Sequence, residues 1–165
     1  SLSFLPGFGF GAAASALVGQ NLGAKRPDES ARAGWIATGL SVMLMTSGGI
    51  LIAIFAETIA ALFVDDPQVI QNTVWFIYML GFAQPFMAID FTLGGALRGA
   101  GDTRFPLWTV LIAFYVVRLG LSAIVVFLFD LSLPWLWATL IGDYFVRALL
   151  KTWRFRSGSW TTIRI

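Results

Sequence analysis

The chain has 165 residues, of which 58% are hydrophobic and only 12% are charged, and its net charge is +2. Soluble domains carry about 25% charged residues, so an ordinary water-facing surface is excluded and we expect a chain embedded in a membrane. The absence of cysteine excludes a disulfide framework. The absence of histidine removes the usual general base and the commonest metal ligand.

Five hydrophobic stretches are each long enough to cross a bilayer, which requires roughly 20 mostly apolar residues in a helix. Unbroken runs of this length favour helices over the short alternating strands of a membrane barrel. The sequence therefore predicts an all-α, polytopic bundle of five spanning helices, a single incomplete transmembrane domain over residues 1–165. The predicted helices cover residues 4–24, 31–64, 67–98, 104–129 and 133–155. Since the chain begins at Ser1 without a methionine, we expect a piece of a longer protein.

Small residues recur at every fourth position of the first predicted helix, at Gly7, Gly11, Ser15, Gly19 and Gly23. A stripe of this kind lets two helix backbones approach closely. It predicts a packing surface, with a sliding surface or a pore wall as the alternative.

Basic residues are concentrated in alternate connections of the predicted bundle. The first and third connections and the C-terminal region hold ten of the eleven lysines and arginines, and Arg118 is the exception. The other two connections hold only acidic charges, at Asp65, Asp66 and Asp130. The positive-inside rule then places the first connection, the third connection and the C-terminus in the cytoplasm. The first helix would start outside, so an odd number of helices would precede it.

Three charges, Asp90, Arg118 and Asp143, lie within predicted spans, where a charge is costly and is usually functional or paired. Arg118 follows Arg104 by fourteen residues, and Asp143 follows Pro134 by nine. At about 1.5 Å per residue in a core of about 30 Å, the two depths agree within a few ångströms. We therefore predict an Arg118–Asp143 ion pair within the bundle, with either a structural or a transport role.

Asp90 lies five residues after Pro85, at a place where a proline frees a backbone carbonyl and favours a kink. A lone carboxylate there is a candidate site for a proton or another cation, since burial favours its protonated form. The alternative is a carboxylate that is capped by a neighbouring serine, threonine or asparagine.

Three strings of the sequence resemble those of multidrug and toxic compound extrusion (MATE) transporters. Residues 16–35 (ALVGQNLGAKRPDESARAGW) and 94–106 (GGALRGAGDTRFP) resemble cytoplasmic connections that occur in both lobes of the family. Residues 141–160 (IGDYFVRALLKTWRFRSGSW) resemble the end of the last helix in bacterial members. The resemblance implies the C-terminal lobe, helices eight to twelve of twelve, in a bacterial inner membrane.

The resemblance also implies a function. MATE proteins export amphipathic, often cationic, compounds by antiport against H⁺ or Na⁺, and their two lobes give alternating access to a central cleft. Asp90 would then be the cation-coupling residue, although related acids lie one turn earlier, near Met87, or one turn later, near Gly94. That departure leaves the choice between H⁺ and Na⁺ open. The substrate-cleft candidates are Gln84, Met87 and Phe91.

The matching connections contain a further set of residues that we expect to set helix ends and lobe packing: Gln20, Gly23, Arg98, Gly99, Asp102 and Arg104. The expected partners are membrane lipid, the N-terminal lobe and organic cations as substrates, with no nucleic acid. We expect no cofactor other than the coupling ion, no metal site and no enzyme activity.

Three other functions are compatible with a polytopic helical chain to different degrees. A lipid-linked oligosaccharide or lipid II flippase of the same superfamily would be expected to carry several basic cleft residues, and the sequence offers Arg118 alone. An intramembrane hydrolase would need a nucleophile with a base, or a metal site. A non-transporting assembly subunit would show no energy-coupled exchange.

Overall fold

The chain folds as a bundle of helices. The structure, a computed structural model, describes residues 4–63, 65–127 and 133–162. All regular secondary structure in these ranges is helical, which confirms the predicted all-α class. The elements are α1 (Leu5–Gly23), α2 (Pro27–Ile54), α3 (Ala56–Ala61), α4 (Pro67–Gly99), α5 (Arg104–Ile112), a π-helical segment (Ala113–Leu119), α6 (Gly120–Phe127), α7 (Leu133–Arg156) and a 3₁₀ helix (Ser159–Thr162).

Two of the predicted helices differ in detail from the observed ones. The second was expected over 31–64, but α2 begins at Pro27 and ends at Ile54, and the short α3 follows. Proline suits the first turn of a helix. The negative charges of Asp28 and Glu29 in that turn interact favourably with the positive end of the helix dipole. The fourth, expected over 104–129, is helical as far as Phe127, with a π-helical middle. The expected ends at 64 and 129 lie outside the described residues.

Three helical stretches in the described ranges are both long and apolar enough to cross a membrane: Pro27–Ile54, Pro67–Gly99 and Arg104–Ile124. The 19-residue α1 and the 24-residue α7 have lengths of about 28 and 36 Å, close to the thickness of a hydrocarbon core. Large apolar side chains such as Met43, Val116 and Trp153 are exposed on the outside of the bundle. The membrane character is therefore confirmed, and the total of five spans stays a prediction.

Helix α4 is the centre of the bundle, because α1, α2 and α7 all pack against it. The α5–π–α6 helix lies mainly against α7. Three buried clusters follow α4 along its length. The first includes Val18, Leu93, Leu97, Phe155 and Trp160; the second includes Met45, Ala83, Met87 and Ala88; the third includes Ala56, Ala60, Val74 and Ile77.

The glycines of α1 bring its backbone against that of α4. A Cβ at Gly11 would lie 2.8 Å from the carbonyl oxygen of Phe91, and one at Gly19 would lie 2.9 Å from that of Gly99. On the facing helix, a Cβ at Gly95 would overlap the backbone of Gly11. These contacts confirm the small-residue stripe as a packing surface. They do not extend to Gly23, where a Cβ would meet nothing within 4 Å.

The C-terminal end of α7 closes one end of the bundle. Phe155 packs against Gly34 of α2, at a distance that leaves no room for a Cβ there. The indole of Trp160 stacks on Phe155 with a centroid distance of 4.7 Å and donates a hydrogen bond of 2.8 Å to the carbonyl oxygen of Phe155. The 3₁₀ helix is thereby held against α1, α2 and α4 through the first cluster.

The α1–α4 contact gives a first prediction. Replacing Gly95 by alanine should lower the thermal unfolding temperature of the full-length protein in detergent, because the methyl group would force the two backbones apart. Overpacking of this kind costs about 1–3 kcal/mol. The matched control is Gly9→Ala, where the new methyl group meets nothing within 4 Å. Equal unfolding temperatures for the two variants would contradict the packing described here.

The closure by α7 gives a second prediction. Phe155→Ala should destabilise the protein by about 3–5 kcal/mol, because it removes a buried ring from the core. Trp153→Ala is the control, since Trp153 is 64% exposed and Phe155 is 2% exposed. Thermal unfolding monitored by size-exclusion chromatography measures both. A larger loss from Trp153→Ala would show that Phe155 does not hold this end together.

Candidate functional site

A buried ion pair joins α4 to α7. The Nζ atom of Lys151 lies 2.5 Å from Oδ1 of Asp90, and the two side chains are only 3% and 4% exposed. The same Nζ atom donates a second hydrogen bond, of 3.3 Å, to the backbone carbonyl oxygen of Asp90. The two residues are 61 positions apart in the sequence, so the pair is a tertiary link between two helices.

Local sequence explains how Lys151 reaches this position. Gly94 lies one turn after Asp90 on α4, and a Cβ at Gly94 would be 3.0 Å from Nζ of Lys151. The missing side chain therefore leaves the lysine room to lie against α4. On α7, Lys151 shares a buried face with Ala148 and Phe155, which is the spacing of one helix face.

The sequence did not indicate this partner. The predicted alternatives for Asp90 are a lone carboxylate or one capped by a serine, threonine or asparagine, and Lys151 is expected among the cytoplasmic basic residues. The structure shows the lysine as the capping group. The available signal was the register of α7, which places Lys151 on the same face as the apolar Ala148 and Phe155. Arg147, also counted as cytoplasmic, is likewise mostly buried within the bundle.

The second intramembrane carboxylate has a partner on its own helix. Asp143 is fully buried and accepts two hydrogen bonds from Arg147, of 2.9 and 2.7 Å. The structure thus pairs Asp143 with Arg147 rather than with Arg118, and the predicted Arg118–Asp143 ion pair does not form. Residues four apart lie on one helix face, so the bidentate contact needs no alignment between helices. Arg118 lies instead over the ring of Phe114, 5.9 Å from its centroid.

The three substrate-cleft candidates have different surroundings. Met87 is completely buried in the second cluster, so it belongs to the core in this structure. Phe91 is half-buried between Phe8 and Tyr144, with ring centroid distances of 4.6 and 6.5 Å. Gln84 is buried but borders a pocket of about 390 Å³ between α1, α2 and α4. The pocket is lined by Pro6, Leu44, Met45, Ser47, Gly48, Gly49, Leu51, Ile52 and Gln84.

The connection after α4 is held by Asp102. Its carboxylate accepts a hydrogen bond of 2.8 Å from Nε of Arg154 on α7 and one of 3.3 Å from the backbone N–H of Phe105 in α5. Gly99, the last residue of α4, packs so closely on Ser15 of α1 that a Cβ would overlap its backbone. Asp102 therefore links the start of α5 to α7, and Gly99 lies in the contact between α4 and α1.

The other expected connection residues lie at helix ends. The backbone carbonyl oxygen of Gln20 accepts a hydrogen bond of 3.0 Å from the backbone N–H of Ala24, and Gly23 is the last residue of α1. Arg98 is exposed in the last turn of α4, and Arg104 is the first residue of α5. In the described part of the chain, no group of three or more acidic side chains is placed to hold a metal ion.

Comparison with known proteins gives consistent results. The MatE family model matches residues 1–124. The chain is 37% identical over 163 residues to a probable multidrug resistance protein NorM of Thermotoga maritima, covering 97% of this chain and 34% of that protein. It is 33% identical over 161 residues to a protein of the same description from Brucella suis biovar 1, covering 94% of this chain and 34% of that protein. The chain thus spans about a third of the length of these curated relatives.

Two solved structures share the fold. A eukaryotic MATE transporter, AtDTX14, superposes with a TM-score of 0.88 at 22% identity, over 96% of this chain and 36% of that one. An inward-facing multidrug resistance MATE family transporter of the MOP superfamily superposes with a TM-score of 0.83 at 12% identity, over 92% and 34%. Since the family model matches most of the chain, this chain belongs to the MatE family of multidrug and toxic compound extrusion transporters.

Proposed function

We propose that the protein of which this chain forms part exports amphipathic organic cations by exchange against H⁺ or Na⁺. The family assignment and the printed description of its relatives as probable multidrug resistance proteins support export of such compounds. The structural observation that carries the coupling mechanism is the buried Asp90–Lys151 pair between α4 and α7. In this proposal the protein is a transporter without catalytic residues, and the coupling ion is its only cofactor.

The pair can couple an ion to a movement of helices because Asp90 offers one negative charge. A coupling cation that binds this carboxylate competes with the Lys151 ammonium group for it. When the cation displaces the ammonium group, the tertiary link between α4 and α7 is lost and Lys151 is left without its anion. Leaving one member of a buried pair unpaired costs about 3–5 kcal/mol, which is enough to shift the balance between two packing arrangements.

The position of the pair suits alternating access. Pro85 has no N–H to donate to the carbonyl of Gly81, which lies where α4 crosses Gly49 of α2. Asp90 follows Pro85 by five residues, about one and a half turns, so the ion site lies close to a place where the helix ladder is already interrupted. A change at Asp90 can then be transmitted to α2 and to α7, since both pack on α4. Rocking of two lobes around a central cleft is the corresponding motion of the whole protein.

The proposed setting is a bacterial inner membrane with the C-terminus in the cytoplasm. Among the described residues, the ends of α1, α4 and α7 carry exposed basic side chains, including Lys25, Arg98 and Arg156. The excess of basic residues at these helix ends therefore remains when Arg147 and Lys151 are assigned to the bundle interior. The exposed apolar side chains would contact lipid and the remainder of the protein.

The coupling role gives a third prediction. Asp90→Asn in the full-length protein, reconstituted in proteoliposomes, should abolish the dependence of ethidium efflux on an imposed H⁺ or Na⁺ gradient, because the amide cannot bind either ion as the carboxylate does. Asp28→Asn is the control, since Asp28 is exposed at the start of α2. Efflux by Asp90→Asn with unchanged pH and sodium dependence would rule out Asp90 as the coupling residue.

The ion pair gives a fourth prediction, which separates stability from coupling. Asp90→Asn and Lys151→Met should each lower the thermal unfolding temperature, by an equivalent of about 3–5 kcal/mol, because each leaves one buried charge unpaired. The double variant should recover most of that loss, since both charges are then gone. Thermal unfolding of all four proteins in detergent measures the coupling. Additive losses would show that the two groups do not depend on each other.

A further inference from the structure

Two cavities adjoin each other along α2, on the side that faces α1. One is the pocket of about 390 Å³ between α1, α2 and α4, and the other has a volume of about 280 Å³. They share the side chains of Leu44 and Ser47, so they form one groove, which we call the α1–α2 groove. The walls of the smaller cavity are formed by Phe10, Leu40, Met43, Leu44 and Ser47. Along α2 the groove therefore extends from Leu40 to Ile52.

The walls of the α1–α2 groove suit an uncharged occupant. Within the described part of the chain, no charged residue lines either cavity, and the polar side chains in the walls are those of Ser47 and Gln84. The Ser47 hydroxyl donates a hydrogen bond of 2.7 Å to the backbone carbonyl oxygen of Met43. Gln84 also has an interaction within the protein. Since placing a charge in apolar surroundings without a partner is costly, the groove favours a hydrocarbon group.

The length and depth of the groove match one leaflet of a bilayer. Leu40 and Ile52 are twelve residues apart, which corresponds to about 18 Å along a helix. The groove ends two residues before the end of α2 at Ile54, and Pro6 in its wall is the second residue of α1. It therefore lies in the half of the bundle next to one membrane face. Half of a hydrocarbon core of about 30 Å is about 15 Å, the depth that the acyl chains of one leaflet fill.

The shape of the groove favours a slender occupant. It enters between α1 and α2 and reaches Gln84 of α4, which is only 3% exposed. A further helix has a diameter of about 10 Å, so it would rest on the outer side chains without filling this space.

Gly48 keeps the groove open. A Cβ at the neighbouring Gly49 would lie 2.8 Å from Cγ of Gln84, so packing explains that glycine. A Cβ at Gly48 would meet nothing within 4 Å. Glycine is unfavourable in a helix interior relative to alanine, and no described neighbour requires it at position 48. The missing side chain leaves room for a group from outside the described chain.

We propose that the α1–α2 groove binds one acyl chain of a membrane phospholipid. Leu44 and Leu51 in its walls are 54% and 57% exposed, so the groove opens to the outside of the bundle, where lipid is available. The inference does not depend on the proposed export function, because it requires only the groove and the membrane.

The first experiment maps retained lipid on the full-length protein. The protein is reconstituted with phosphatidylethanolamine that carries a photoreactive diazirine in one acyl chain, purified again in detergent to remove loosely bound lipid, and illuminated. Leu51 and Ile50 form a matched pair, because they are adjacent in depth and 57% and 56% exposed, whereas Leu51 lines the groove and Ile50 does not. Mass spectrometry should find at least about fivefold more label on Leu51, equivalent to a preference of about 1 kcal/mol.

The second experiment fills the groove. Gly48→Leu places a side chain in the open space and should reduce the label on Leu51 by about fivefold or more. Gly39→Leu is the matched control, since a Cβ there also meets nothing within 4 Å and Gly39 lines neither cavity. Added phosphatidylethanolamine should raise the unfolding temperature of the delipidated wild type and of Gly39→Leu more than that of Gly48→Leu, because a ligand stabilises the protein that binds it.

Four results would overturn the inference. Equal labelling of Leu51 and Ile50 would show general contact with lipid instead of a bound chain. An absence of label from both would show that another part of the protein covers the groove. Unchanged labelling of Leu51 in Gly48→Leu would place the lipid elsewhere on the surface. Loss of the label when ethidium is added would assign the groove to an exported compound.

Discussion

The ion pair between Asp90 and Lys151 is the constraint on which the arrangement of α4 and α7 depends. A carboxylate in the middle of a membrane helix needs a counter-charge, and here it comes from another helix at 2.5 Å. That requirement fixes the register of α7 against α4. It also explains Gly94, whose missing side chain makes room for the ammonium group. The same pair holds α7 so that Phe155 and Trp160 can close the end of the bundle.

Close backbone contact provides the remaining stability. Water does not drive helices together within a membrane, so their association depends on packing contacts and on polar links between them. The glycines at positions 11 and 19 of α1 and at 95 and 99 of α4 allow those contacts. The helix ladder of α4 is interrupted at Pro85, five residues before Asp90.

The intramembrane charges divide into two groups with different consequences. Asp143 and Arg147 neutralise each other on one helix, so their contact survives any movement of that helix. Asp90 and Lys151 lie on different helices, so their contact reports how α4 and α7 are arranged. In the proposed mechanism the coupling ion acts on the pair between helices, whereas the pair within α7 neutralises its own charges. Arg118 belongs to neither group, since its described contact is with the ring of Phe114.

The sequence by itself determined the membrane character, the helical class and the small-residue packing surface, because these follow from composition and from spacing along one helix. It also identified Asp90, Arg118 and Asp143 as the residues to examine. The sequence did not determine which charges pair with one another. Depth alone suggested Arg118 for Asp143, but depth does not specify which face of a helix a side chain occupies, and Arg147 was available one turn away. The partner of Asp90 lies 61 residues further along the chain. Only the tertiary structure could decide that contact, since it depends on the register of α7 against α4.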